Sequence, residues 1–182
     1  MSSTARGADR RRQDWYATPA WCVHRLLEAV ALPGGDWLEP CAGDGAIIRA
    51  VAEHRQDVTW NALDIEPQGP NIVQQDYLTL PQPHATVALT NPPFILAEQF
   101  LRKLLDEADW VVLLLRLNWI GATRAPLMRK LPPDIYVLPN RPSFTNGGTD
   151  SIEYAWMVWG PGVGGRWKML ADTPLADRRV VR

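Results

Sequence analysis

Residues 37–45 read WLEPCAGDG, and this stretch decides the fold. A Pro-Gly-Gly turn at residues 33–35 precedes it, and an apolar helical pattern follows it directly. The predicted order is therefore strand, glycine loop and helix. Gly43 and Gly45 allow positive φ angles and a close approach of the main chain to a ligand. Glu39 ends the strand with a carboxylate, which suits a ligand carrying an ammonium or hydroxyl group.

Two common nucleotide-binding loops do not fit this stretch. A dinucleotide-binding loop has a third glycine or alanine three residues after the second one, and this chain has Ile48 there. A P-loop requires Gly-Lys-Ser or Gly-Lys-Thr, which the sequence does not contain. Close packing against a pyrophosphate or a nucleoside triphosphate is therefore not expected.

Acidic residues follow the next two predicted strands. The strand near 58–63 leads to Asp64, and an acidic residue about 20 positions after a glycine loop is where a ribose is held through its hydroxyls. A short apolar step at 71–73 leads to Asp76 and Tyr77. Asp76 can accept a hydrogen bond from an adenine amino group, and the alternative is a turn residue.

Asn91-Pro92-Pro93-Phe94 follows an apolar run at residues 85–90 that is typical of a buried strand. The two prolines stiffen the turn, so the Asn91 carboxamide and the Pro92 carbonyl are held in fixed directions. Two acceptors placed in this way suit a planar nitrogen that carries two protons. Phe94 offers an aromatic face for a flat ring. The alternative interpretation is a proline-rich turn.

Strands and helices alternate along the chain, which favours an α/β fold with a mostly parallel sheet and helices on both faces. Thr18 and Pro19 form a good helix start, with a capping hydroxyl and then a proline at the first helical position. The last strands are not separated by a helix, so a C-terminal antiparallel hairpin is expected. We predict helices near 19–32, 45–54, 95–107 and 123–131, and seven strands near 36–39, 58–63, 71–73, 85–90, 110–116, 134–138 and 152–159.

Length and composition indicate one globular domain. The 182 residues are 46% hydrophobic and 21% charged, as in ordinary globular proteins. We divide the chain into a basic N-terminal tail at 1–14, a domain at 15–165 and a basic C-terminal tail at 166–182.

The sequence also predicts a reduced, cytoplasmic setting. No apolar run reaches the ~18 residues of a membrane span, and the polar N-terminus lacks a signal-peptide core. Cys22 and Cys41 are the only cysteines, and they lack the spacing of a zinc site, so we expect no metal.

Charge is distributed unevenly. The net charge of −1 excludes a uniformly basic DNA-binding surface. Arginines nevertheless cluster at both ends, where they can contact phosphates or lie in solvated tails. The clusters are Arg6, Arg10, Arg11 and Arg12, and Arg178, Arg179 and Arg182.

The ordered motifs resemble the class I S-adenosylmethionine-dependent methyltransferases, specifically the type that methylates the N6 amino group of adenine in DNA. Residues 39–45 look like the cofactor loop of this family, and residues 91–94 look like its catalytic motif. Residues 16–19 (YATP) are similar to the segment that packs over the methionine end of the cofactor. The resemblance covers residues 15–159. The chain's size and its RPSF segment at 141–144 look like the small phage or prophage enzymes.

The resemblance implies a Rossmann-like fold, S-adenosylmethionine as cofactor, and flipping of the target base out of DNA. It places the loop from Pro139 to Ser151 against the substrate, where Arg141 can hold a phosphate and Phe144 can stack on the opposite face of the flipped base, and the alternative is a mobile hairpin tip. It implies catalytic roles for Asn91, Pro92, Pro93 and Phe94, with Phe94 also binding the substrate. The implied cofactor contacts are Tyr16, Thr18, Pro19, Glu39, Pro40, Gly43, Gly45, Asp64, Ile65, Asp76, Tyr77 and Asn91.

The chain departs from the larger enzymes of this type, because neither the gap before the catalytic strand nor the stretch after Trp159 can hold a target-recognition domain. Sequence specificity is then weak, built from loops or supplied by a second subunit, as in a homodimer. Three alternatives stay open. The substrate is an RNA amino group, the substrate is a protein glutamine amide, or the chain is a non-catalytic binding scaffold. The intact motif at 91–94 argues against the scaffold.

Overall fold

One mixed sheet of eight strands organises the residues that the computed structural model describes, which are 17–144 and 151–174. The strands are β1 Gly35–Glu39, β2 Val58–Asp64, β3 Val73–Gln74, β4 Ala85–Thr90, β5 Ala108–Arg116, β6 Asp134–Val137, β7 Tyr154–Trp159 and β8 Trp167–Met169. The helices are α1 Ala20–Ala29, α2 Ala46–Ala52, α3 Ala97–Glu107 and α4 Ala125–Lys130, with 3-10 turns at Leu117–Ile120 and Ala122–Arg124.

The strand order across the sheet is β3-β2-β1-β4-β5-β7-β6-β8. All pairs from β3 to β5 are parallel. β7 runs antiparallel to both of its neighbours, β5 and β6, while β6 and β8 are parallel. The predicted mostly parallel sheet with a C-terminal antiparallel hairpin is therefore confirmed.

Apolar layers cover both faces of the sheet. Helices α1 and α2 pack over the face that contains Trp37, Val112 and Trp156. Helix α3 packs over the opposite face, against Leu38 and Leu113. Residues 111–115 of β5 are buried throughout, as their continuous apolar sequence predicts for a central strand.

The sheet has one strand more than the seven predicted from sequence. β8 lies within residues 166–182, and its three residues are exposed, so it shows no hydrophobic alternation. A buried carboxylate attaches this part of the chain to the sheet. Asp134 accepts hydrogen bonds from the N–H groups of Gly164 and Arg166 and from the Arg166 side chain.

The first helix ends three residues earlier than predicted. Val30 and Leu32 carry on the apolar pattern, but Val30 has extended backbone angles. Both side chains are buried, so they enter the core from an extended segment rather than from another helical turn.

In the described part of the chain, no helix is long and apolar enough to cross a membrane.

Candidate active site

The carboxyl ends of β1, β2, β3 and β4 meet at one edge of the sheet, which is the usual ligand crevice of an open α/β fold. Most of the predicted cofactor and catalytic residues that the structure describes follow these strand ends. Thr18 and Pro19 reach the same region from the start of α1. Tyr16 and the two arginine clusters lie outside the described residues.

The glycine loop is fixed by its own main chain. Gly43 and Gly45 have φ angles of 53° and 79°. A residue with a side chain would be strained in this left-handed conformation. The Gly43 N–H donates to Asp64 Oδ2 at 2.7 Å, and its carbonyl accepts from the Gln68 N–H at 2.8 Å. The loop and the end of β2 therefore form one unit.

Asp64 keeps acceptor capacity toward a ligand. Its Oδ1 accepts the Glu66 N–H at 2.8 Å, so each carboxylate oxygen has one main-chain donor. An ionised carboxylate offers about four acceptor sites, and about two therefore remain for ligand hydroxyls. Ile65, the next residue, is 64% exposed and presents an apolar surface beside them.

Glu39 is a buried carboxylate with spare acceptor capacity. It is 1% exposed, and its Oε2 has no hydrogen-bond partner within the described residues. Burial raises the pKa of Glu39 well above its usual range, and the nearby charges of Asp64 and Asp44 raise it further. A ligand ammonium or hydroxyl would satisfy this oxygen, and Pro40 is buried directly after it.

Asn91 is oriented by a residue that lies 73 positions earlier in the chain. Its amide nitrogen donates to Thr18 Oγ1 at 3.2 Å, and Thr18 is 4% exposed. Because the amide nitrogen faces Thr18, the carboxamide oxygen is turned away from it. The structure therefore brings two predicted site residues together, and it fixes which end of the Asn91 side chain is presented.

Phe94 belongs to a cluster of aromatic side chains with a cation. The Arg116 Cζ lies 4.7 Å from the centre of the Phe94 ring. The Tyr154 ring centre is 5.7 Å from that of Phe94 and 5.1 Å from that of Phe144. The Arg116 Nε donates to the Tyr154 hydroxyl at 3.2 Å. Two predicted substrate residues, Phe94 and Phe144, thus meet at Tyr154.

The Tyr77 side chain is engaged away from the glycine loop. It is 1% exposed, stacks on Phe100 and donates its hydroxyl to Glu107 Oε2 at 2.7 Å. Burial raises the pKa of Tyr77, and the bond to the Glu107 carboxylate raises it further. Only the main chain of Tyr77 is left for a cofactor contact.

Asp76 and Arg141 each already have a hydrogen-bond partner within the chain. Asp76 is exposed, and its Oδ1 accepts the Leu78 N–H at 3.0 Å, as in a turn. Arg141 pairs with Glu153 at 2.5 Å, and about half of each side chain is exposed. A phosphate at Arg141 would have to compete with that carboxylate.

Sequence reasoning missed Arg116 and Tyr154. One local signal was present, since Arg116 is a charged residue that ends an otherwise apolar strand at the ligand edge. Tyr154 is placed by register, because it pairs with Arg116 across the antiparallel strands β5 and β7. No pattern within a single segment predicts that pairing.

Known proteins share this fold. No protein-family model and no curated protein matches the chain. The chain is similar to a modification subunit of a putative type I restriction enzyme from Vibrio vulnificus, at 18% identity with a TM-score of 0.57. That match covers 84% of this chain but only 45% of the Vibrio chain, so this chain spans less than half of it.

Two further solved structures are comparable. One is the 23S rRNA methyltransferase ErmE, with 16% identity, a TM-score of 0.55, and coverage of 80% of this chain and 68% of that one. The other is a predicted O-methyltransferase from Agrobacterium tumefaciens, with 16% identity, a TM-score of 0.58, and coverage of 83% and 84%. At such identities the likeness concerns the fold, which is the Rossmann-like class I methyltransferase fold.

Proposed function

We propose that this chain is an S-adenosylmethionine-dependent methyltransferase that transfers a methyl group to the N6 amino group of adenine in DNA. The observation that carries the proposal is the end of β4. There, the Asn91 amide nitrogen donates to Thr18, so its carboxamide oxygen is turned away from Thr18, and Phe94 lies in an aromatic cluster three residues later. A binding scaffold has no need of that geometry.

The residues at the ligand edge fit S-adenosylmethionine. Asp64 retains acceptors for the ribose hydroxyls, and exposed Ile65 offers an apolar surface to the adenine. Glu39 suits the ammonium of the methionine part, because its buried Oε2 has no hydrogen-bond partner within the described residues. When bound, the cofactor supplies a methyl group made electrophilic by its sulfonium.

Asn91 and Pro92 act on the amino group that receives the methyl. The Asn91 carboxamide oxygen and the Pro92 carbonyl each accept a hydrogen bond from one N6 proton, and the methylated nitrogen afterwards loses one of these protons to solvent. These bonds draw the nitrogen lone pair out of conjugation with the ring and aim it out of the ring plane. Since the methyl donor is already activated, positioning contributes more than a strong base would.

Phe94 stacks on the target ring. Inside a duplex the adenine amino group is paired and out of reach, so the base leaves the stack before it is methylated. The arginine-rich ends and the RPSF segment favour a nucleic acid over a protein amide.

We also propose a homodimer on DNA, in which one subunit grips the duplex for the other. Light scattering that finds only monomer on DNA at high protein concentration would argue against the homodimer.

The test is methyl transfer from labelled S-adenosylmethionine to unmethylated duplex DNA, followed by digestion to nucleosides and mass detection. We expect N6-methyladenine from the wild-type chain. Asn91→Ala is the matched control, and it should abolish transfer while calorimetry finds cofactor affinity nearly intact. If the wild-type chain binds the cofactor but leaves DNA unmodified, the DNA proposal is wrong. The same label offered to RNA and to proteins then identifies the substrate class.

A further inference from the structure

Arg116 and Tyr154 are cross-strand partners beside the catalytic motif. They pair in register between β5 and β7, at the point where β5 reaches the ligand edge. The Arg116 Nε donates to the Tyr154 hydroxyl at 3.2 Å. Tyr154 is 1% exposed, so its hydroxyl is a fixed point rather than a mobile surface group.

The Arg116 guanidinium lies over the ring of Phe94, with Cζ 4.7 Å from the ring centre. An aromatic ring attracts a cation to its face, and a planar guanidinium stacks there better than an ammonium does. A ring has two faces, so the one that Arg116 covers cannot receive a target base. A base that stacks on Phe94 must use the other face.

We infer that Arg116 is a positioning residue, which holds the Phe94 ring in the orientation that receives the target base on the face that Arg116 does not cover. This inference rests on the proposed function. Arg116 acts through Phe94 and does not touch the reacting atoms. Tyr154 supports it by holding the guanidinium from one side, while the Tyr154 ring centre lies 5.7 Å from that of Phe94.

Preorganisation explains why such a residue affects turnover. A site works when its side chains already have the productive geometry and neighbouring groups hold them there. Without Arg116 the Phe94 ring samples other rotamers, and the base stacks with its amino group less well placed at Asn91. The chemical step then slows, although the chain still binds the cofactor and the DNA backbone as before.

The experiment compares three variants with the wild-type chain on the substrate that the wild-type chain methylates. Arg116→Ala should lower kcat by about tenfold, equivalent to about 1.4 kcal/mol. KM for DNA and the Kd for the cofactor should stay within about twofold. Arg116→Lys keeps the charge but not the planar stack, so it should resemble the alanine variant. Tyr154→Phe keeps the ring and removes only the hydroxyl, so it should give a smaller loss of kcat.

Arg55→Ala is the matched control. Arg55 also lies over an aromatic ring, the indole of Trp37 at 5.2 Å, but at the opposite edge of the sheet, where it bonds to Asp57 and the Leu32 carbonyl. Its removal should lower the midpoint of thermal unfolding and leave kcat unchanged. This control therefore distinguishes a loss of kcat caused by lower stability from a loss of kcat caused by a misplaced Phe94 ring.

Each outcome decides the inference. A fall in kcat for both Arg116 variants with KM unchanged supports it. Full activity in Arg116→Lys refutes the stacking role, and a loss confined to KM assigns Arg116 to substrate affinity instead. If Arg116→Ala does not fold, the lysine and phenylalanine variants still decide. A wild-type chain that methylates no substrate refutes the proposed function together with this inference, whereas an active wild type with unaffected variants refutes this inference alone.

Discussion

Asn91 depends on one hydroxyl group to present its oxygen to a substrate. A carboxamide has a donor end and an acceptor end of nearly the same shape, so only its surroundings decide which end faces the site. Thr18 Oγ1 accepts a hydrogen bond from the Asn91 amide nitrogen at 3.2 Å, and this bond fixes which end of the carboxamide faces the site. Thr18 was expected to contact the cofactor, and the structure places its hydroxyl on Asn91.

Thr18→Val therefore tests the orientation directly. Valine has the shape of threonine but no acceptor, so the Asn91 amide nitrogen loses its partner at a cost of about 1–3 kcal/mol. We expect kcat for methyl transfer to fall about tenfold or more, with cofactor affinity by calorimetry little changed. Thr18→Ser retains the hydroxyl and should keep most of the activity. Equal losses in both variants would show that the hydroxyl does not orient Asn91.

Glu39 couples cofactor binding to pH. Burial raises its pKa, so the folded chain favours the protonated carboxyl. Its contribution to stability is present at low pH and is lost as the pH rises through the raised pKa. A bound ammonium favours the ionised form. Cofactor affinity should therefore rise with pH across the pKa of Glu39.

Glu39→Gln should remove that rise, because the amide does not ionise. Above the Glu39 pKa this variant should also unfold at a higher temperature than the wild-type chain without cofactor. Each kcal/mol gained shifts the midpoint by about 2–4 °C in a chain of this size. Calorimetric titrations and thermal unfolding from about pH 5 to about pH 9 measure both effects. A Glu39→Gln variant that binds the cofactor as tightly as the wild-type chain at every pH would contradict the pairing of Glu39 with an ammonium.

Among the elements, β8 is held by main-chain pairing with β6 and by one buried side chain, Asp134. Asp134 has no exposed surface and binds Arg166 and the Gly164 N–H. Burial opposes ionisation of Asp134, but the hydrogen bonds from the Arg166 side chain and from the two N–H groups outweigh it and lower the pKa. This carboxylate therefore stabilises the fold above its unfolded pKa, and the contribution is lost as the pH falls through the lowered value.

Asp134→Ala should destabilise the chain by about 1–3 kcal/mol, because the N–H groups of Gly164 and Arg166 lose their acceptor. Denaturant unfolding measures the change. The loss should be full at neutral pH and shrink in acid, where the wild-type carboxylate is itself protonated. Asp109→Ala is the control, since Asp109 pairs with His84 at 3.0 Å on an exposed surface. Similar losses in the two variants would show that Asp134 is no special anchor.

Elements were predictable from the sequence where one local pattern sufficed. The apolar run of β5 and the strand, loop and helix around Gly43 are as expected. β8 was missed because its three exposed residues have no hydrophobic pattern, and its anchor lies about thirty residues earlier in the chain. For the same reason the contact between Thr18 and Asn91, and that between Arg116 and Tyr154, could not be predicted: each joins distant segments through the sheet.

The whole molecule is close to neutral, so any affinity for DNA backbone must come from local charge. The N-terminal arginine cluster, which lies outside the described residues, offers four cations. Removing residues 1–12 should weaken DNA binding and make it less sensitive to salt. The slope of log K against log salt should become shallower by about 0.9 for each phosphate that the shortened chain no longer neutralises.

Fluorescence anisotropy at several salt concentrations gives this slope for both chains. Cofactor affinity is the internal control. It should not change, because the predicted cofactor contacts begin at Tyr16 and are all retained when residues 1–12 are removed. An unchanged slope would assign the cluster to a solvated tail without a role in binding DNA.

The position of β7 has a consequence for how the chain is made. β5 ends at Arg116, and β7, which pairs with it, begins at Tyr154, 38 positions later. At a synthesis rate of about 5–20 residues per second, a nascent chain carries the unpaired apolar edge of β5 for about 2–8 s. Until Trp159 has left the ribosome, the middle of the sheet is an open edge that chaperones or other unfinished chains can bind. Slow codons in this interval would lengthen that exposure and lower the yield of folded protein.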